Sequence, residues 1–195
     1  MVGKGRDIRI QRPEPSAEMS ERTALILLPG MLRAARLWKS QADALGDIAD
    51  IIIADMTLDD TMAGMAARAL DGAPARFALA GLSMGGYVAF EITRQASEKV
   101  TKLALLDTGA GSDSPEQTLR RRDLIALADR GEFNAISPRL LPLFVHKSRL
   151  SDNALIDEIT DMANSVGKAA FLRQQKAIMG RNKCDMPPEG RAFHG

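Results

Sequence analysis

Between residues 22 and 114, short unbroken apolar runs alternate with stretches whose apolar residues recur at helical intervals. Ala24-Leu25-Ile26-Leu27-Leu28, closed by Pro29-Gly30, predicts a strand buried on both faces, as in a parallel sheet. Segment 34–45 carries Leu37, Trp38, Ala42 and Leu45 on one helical face. Ile51-Ile52-Ile53-Ala54, ending at Asp55, predicts a second strand, and 62–70 a short helix stopped by Gly72 and Pro74. Phe77-Ala78-Leu79-Ala80 predicts a third strand, 87–95 a helix, and Leu103-Ala104-Leu105-Leu106 a fourth strand closed by Asp107-Thr108-Gly109. The order β-α-β-α-β-α-β implies parallel strands joined by right-handed crossovers. Beyond 115 only helical spacing remains, in segments 116–129, 135–144, 152–166 and 168–179.

The two ends break the pattern. Residues 1–21 mix charge with Pro13 and Pro15 and show no period, which predicts a flexible leader. Residues 182–195 carry no apolar periodicity, and they hold the only cysteine, Cys184, and His194. The divisions expected are a leader at 1–21, an α/β core at 22–114, a helical region at 115–181 and an atypical tail at 182–195.

Chemistry concentrates at Gly81-Leu82-Ser83-Met84-Gly85-Gly86, a G-x-S-x-G pattern where the third strand would end and a helix begin. A serine held on such a turn exposes its hydroxyl above a helix N-terminus, and Gly81 and Gly85 leave room for the backbone to double back. The turn would aim the Met84 N–H at a developing oxyanion. A second donor must come from the loop after an earlier strand, and Pro29-Gly30-Met31-Leu32 offers the Met31 N–H. The pattern alone arises by chance often enough that its setting has to carry the reading. Strand before, helix after and Pro-Gly-Met upstream favour a nucleophile over a small residue at a tight turn.

Composition narrows the partners. The 195 residues carry a formal net charge of +1, so no overall field favours nucleic acid or a membrane surface. Arg120-Arg121-Arg122, beside Glu116 and Asp123, reads as a solvated helix face. A single cysteine suits a reducing compartment, no apolar segment near the N-terminus resembles a signal peptide, and no run approaches a membrane span. These point to a cytoplasmic protein. Two distant histidines and one cysteine make no ligand cluster, so neither a metal nor a cofactor is expected. The methionines read as core and pocket lining, with Met31 and Met84 making the reactive centre apolar.

Leu25-Ile26-Leu27-Leu28-Pro29-Gly30-Met31 with Trp38, the serine motif, Leu105-Leu106-Asp107-Thr108, and the helical segment ending at Gln174-Gln175-Lys176-Ala177-Ile178 together resemble the α/β-hydrolase superfamily, in particular small bacterial esterases and enol-lactonase-like members. The resemblance covers roughly residues 22–181. It implies an α/β fold: a three-layer parallel sheet flanked by helices, with an all-helical cap over the pocket. Ser83 would be the nucleophile, Met31 and Met84 the oxyanion donors, and a small-molecule ester, lactone or thioester the substrate. A C–C bond hydrolase would use the same turn. The superfamily's common His-Gly loop opening is here Pro29-Gly30, which keeps the glycine and the N–H that follows it.

One departure concerns the rest of the triad. In the superfamily two further strands follow the cap, carrying the catalytic acid and then the histidine. Nothing after Gly180 reads as either, so the fold is expected to be C-terminally incomplete, through a truncation or reading-frame change near Asn182. Asp107, at the end of the fourth strand, is then a candidate acid. Asp55 reads as a strand-end residue satisfying loop N–H groups, His146 as a cap or loop histidine, and His194 lies in the tail. The alternative function is a non-catalytic, degenerate hydrolase fragment that only binds a ligand. A Rossmann-type dinucleotide-binding domain ranks below it, since the glycine spacing is not G-x-G-x-x-G. A sheet ending at the fourth strand would also expose an edge, so poor solubility or a homo-oligomer covering that edge is expected.

Overall fold

The structure, a computed structural model, describes residues 22–181. The leader expected at 1–21 and the tail at 182–195, with Cys184 and His194, lie outside the described residues. Four strands form one parallel sheet: β1 (Thr23–Leu28), β2 (Ala49–Ile53), β3 (Phe77–Leu82) and β4 (Val100–Leu106), in the order β2-β1-β3-β4. Register runs Ile26↔Ile52 between β1 and β2, Ile26↔Leu79 between β1 and β3, and Leu82↔Leu106 at the end of β3.

Because successive side chains point to opposite faces, the apolar runs serve both sides of the sheet. Ile26, Leu28, Phe77 and Leu79 pack on one face with Met65 and Ala66 of α2 (Met62–Leu70) and with Val88 and Ile92 of α3 (Met84–Ala96). Leu27 and Ala80 face the other way, against Trp38. Helical spacing over 34–45 resolves into a 3-10 turn, Ala35–Trp38, followed by α1 (Lys39–Leu45). The tighter turn seats the Trp38 indole, 5% exposed, on the sheet.

After β4 every element is helical: α4 (Pro115–Asp129), α5 (Ile136–Phe144) and α6 (Asn153–Met179). Ser114 and Gln117 form a reciprocal capping box at the start of α4, with Pro115 in the first turn. The two helices expected at 152–166 and 168–179 are the arms of α6, which breaks its helical geometry at Gly167 (φ 77°). Leu124 and Leu127 of α4, Leu140 of α5 and Phe171 and Ile178 of α6 join the same core as α2 and α3, so the helical layer is packed on the sheet domain. Among the described residues β4 is an edge strand, with Leu105 38% and Leu106 40% exposed. No helix among them is long and apolar enough to cross a membrane.

Candidate active site

Strands β1, β3 and β4 end side by side, and their C-terminal ends bring three loops together, the place where open parallel sheets bind ligands. Ser83 lies between β3 and α3 at φ 52°, ψ −113°, a strained left-handed conformation for a residue with a Cβ. Such strain costs on the order of 1–3 kcal/mol and persists only where surrounding contacts impose it. Here they do. The Ser83 N–H donates to the Leu106 carbonyl at 2.9 Å, and the Ser83 carbonyl accepts from the Gly86 N–H at 2.9 Å and the Thr108 hydroxyl at 2.8 Å. A Cβ on Gly81 would overlap the Gly85 carbonyl, and one on Gly85 would overlap the Leu28 carbonyl at the end of β1. The two motif glycines are therefore required by close backbone approach, as the sequence implies.

The turn opens onto a cavity of about 610 Å³ whose walls include Gly30, Met31, Ser83, Met84 and Asp107 from the sheet and Leu140, Phe144 and Met162 from the helical layer. Met31, 9% exposed, and Met84, fully buried, make its floor apolar. Met84 is the first residue of α3, so its N–H has no intrahelical partner, and the Met31 N–H makes no hydrogen bond among the described residues. Asp107 also carries a positive φ, 44°, is exposed, and lines the same cavity.

The other candidates are not brought there. His146 is exposed, caps a 3-10 turn and shares a 2.8 Å hydrogen bond with Ser148 through Nδ1, away from the cavity walls. It is the only histidine among the described residues. Asp55 accepts from the Thr57 N–H at 2.8 Å and the Thr57 hydroxyl at 2.6 Å, a loop-closing role. Among the described residues no group of acidic, histidine or cysteine side chains gathers as a metal site would require.

Three features of the site were not evident from sequence. The loop carrying Met31 is pinned by Gln174 of α6, fully buried, whose Oε1 accepts from the Leu32 N–H at 3.0 Å while its Nε2 donates to the Met56 carbonyl at 3.1 Å. Leu32 has φ 57°, so this glutamine holds a second strained residue beside the site. Gln174→Leu leaves a buried N–H and a buried carbonyl without partners, which should lower unfolding stability by about 2 kcal/mol. Urea denaturation followed by circular dichroism checks this, and an unchanged midpoint would refute the pinning role.

The second feature corrects the reading of Arg120-Arg121-Arg122. Arg120 and Arg122 face solvent, but the Arg121 side chain is only 18% exposed. Its Nε donates to Asp113 Oδ2 at 2.6 Å and its Nη1 to Gln175 Oε1 at 3.1 Å. Asp113 also accepts from Arg181 Nη2 at 2.9 Å, and the Arg181 guanidinium lies 4.1 Å from the Tyr87 ring centre. Burial by itself pushes the Asp113 carboxyl up, but hydrogen bonds and charge from the two arginines outweigh it and hold the carboxyl below its ordinary value. The third feature is Arg33, a buried cation on the cavity wall.

No protein-family model matches the chain, and no curated protein does. Solved structures do. A thermophilic esterase from Thermogutta terrifontis, solved with malate bound, is 25% identical, with a TM-score of 0.72 over 83% of this chain. The enol-lactonase from Burkholderia xenovorans LB400 is 18% identical, with a TM-score of 0.73 over 85% of this chain. MenH from S. aureus is 19% identical, with a TM-score of 0.63 over the same share. The chain spans 65% of the esterase's length and 68% of the other two. These likenesses are to hydrolases and not to dinucleotide-binding domains, and they agree with the serine turn, the parallel four-stranded sheet and the helical layer: this chain has the α/β-hydrolase fold.

Proposed function

We propose that this protein carries the nucleophile of a serine hydrolase acting on a small carboxylic ester or lactone. The observation that carries the reading is the Ser83 turn: a non-glycine residue forced to φ 52° at the edge of a cavity with an apolar floor, beside two backbone donors. Packing and hydrogen bonds hold that strain in place, which is expected where a hydroxyl must be presented to a ligand. Ser83 Oγ attacks the substrate carbonyl as its proton passes to a base. The carbonyl oxygen becomes an oxyanion received by the Met31 and Met84 N–H groups, strengthened by the positive end of α3. Collapse expels the alcohol and leaves an acyl group on Ser83, which water then removes. Asp107, on the same cavity wall, is the proposed acid of the site. A thioester would be cleaved by the same steps.

A second reading is a site that binds its ligand without turning it over. One observation favours it: the described residues bring no imidazole to Ser83. Labelling of the full chain with a neutral fluorophosphonate probe separates the two, because only an activated serine reacts. The hydrolase reading predicts labelling that disappears in Ser83→Ala. A folded protein that does not label leaves the binding reading.

A further inference from the structure

Among the described residues five cationic side chains line the cavity, and four of them are already paired. Arg36 lies 3.9 Å from Glu158, Lys39 pairs with Asp43, Arg120 lies 3.7 Å from Glu116, and Arg121 is bound by Asp113. Arg33 is different. It is 8% exposed, its side chain makes no hydrogen bond or ion pair among the described residues, and its Nη1 is fully buried without a partner. Its one notable contact is the Phe144 ring, whose centre lies 4.5 Å from the guanidinium carbon.

A buried guanidinium stays charged at neutral pH, and leaving it unpaired costs several kcal/mol. Burial draws its pKa below the ordinary arginine value, with no opposing cation or anion involved. The cavity carboxylates do not relieve it: Glu158 is engaged by Arg36, and Asp107 makes no ion pair with Arg33. The stem of Arg33 also runs close to the nucleophile. A single point beside Gly30, where a Cβ would stand, is 3.7 Å from both Arg33 Cγ and Ser83 Cβ. An anion on this guanidinium therefore shares the cavity with a group on Ser83.

We propose that the cavity takes a substrate bearing a free carboxylate a few carbons from its scissile carbonyl, with the carboxylate held by Arg33. The proposal rests on the hydrolase reading above for the scissile group and names the substrate class. A carboxylate fits better than a phosphate. It is planar, accepts two parallel N–H bonds from one guanidinium, and brings one negative charge to the cation on this wall that has no partner among the described residues. Phe144 packs against the guanidinium, and Leu140, Leu143 and Met162 supply apolar walls for the linking methylenes.

The test is calorimetric binding to the full chain carrying Ser83→Ala, which removes turnover. The probes are the monomethyl esters of succinate, glutarate and adipate, each compared with its dimethyl ester. A charge-assisted bond in a partly desolvated site makes at least one monoanion bind about tenfold or more tighter than its neutral diester. Adding Arg33→Met should erase that preference, whereas Arg33→Lys, which keeps the charge, should retain part of it. Circular dichroism confirms that each variant folds, and if Arg33→Met does not, Arg33→Gln takes its place. Equal binding of acid and diester across the series, no binding of any monoanion, or a preference that survives removal of the charge would each overturn the proposal. Fluorophosphonate labelling of Ser83 is read separately with a neutral probe, so failure of the nucleophile and failure of the anion subsite give different results.

Discussion

Gly85→Ala should destabilise the protein by about 3 kcal/mol or more, the upper end of what an added methyl costs in a packed interior. The reason is what it meets. A Cβ at this position overlaps the Leu28 carbonyl and lies against the Pro29 carbonyl, both backbone atoms at the end of a central strand. A side chain could rotate aside, but backbone hydrogen-bonded on both flanks cannot, so α3 must lift from the sheet and carry Ser83 with it. Gly111→Ala is the matched control, since nothing lies within 4 Å of its added methyl. Urea midpoints at constant slope measure the difference. Equal midpoints for the two variants would show that α3 tolerates displacement and that the turn is not rigidly seated.

The second large effect is expected at Asp113. Its side chain is 6% exposed and accepts from both Arg121 and Arg181, tying α4 and the end of α6 to the loop after β4. Asp113→Asn removes the charge that opposes both the Arg121 and the Arg181 guanidinium groups, and breaking a buried pair in this way costs about 3 kcal/mol. The pH dependence follows from the direction of the shift. The native carboxyl titrates below its ordinary value, near 3.9 in an unfolded chain, so its contribution is complete above that value. It is lost as pH falls through the lower native value. The gap between wild type and Asp113→Asn should hold steady from pH 7 to 5 and narrow below about pH 4. A gap that stays constant down to pH 3 would mean that packing, not charge, sets the effect.

Gly81, Ser83 and Gly85 announce their role in the sequence because a sharp strand-to-helix turn admits few residue types, and those types are spaced by the turn itself. The helix expected at 62–70 is α2 with the same bounds, since Thr61 caps it and its apolar face is regular. Where local signals are ambiguous, bounds moved. Strand β4 begins at Val100, ahead of its apolar run, because Phe77↔Val100 pairing with β3 extends it. The break expected between 166 and 168 is present: Gly167, at φ 77°, separates the two arms of α6.

The polar groups around the cavity were less legible. Arg121 looks like its neighbours Arg120 and Arg122 until α4 is rolled onto the core, which turns one of three consecutive arginines inward. Gln174 and Arg33 carry no local signature: their partners, or the lack of them, depend on residues far away in the chain.

By itself, then, the sequence determined the order of strands and helices, the turn at Ser83 and the glycines that permit it, because these follow from periodicity and from sterics between near neighbours. Only the tertiary structure decided which charges are buried, which of them are paired, and which face the nucleophile. Those properties arise from contacts between distant segments, as when α6 reaches back to the β1 loop through Gln174, and Arg33 meets no anion among the described residues in a cavity its own sequence neighbours do not define.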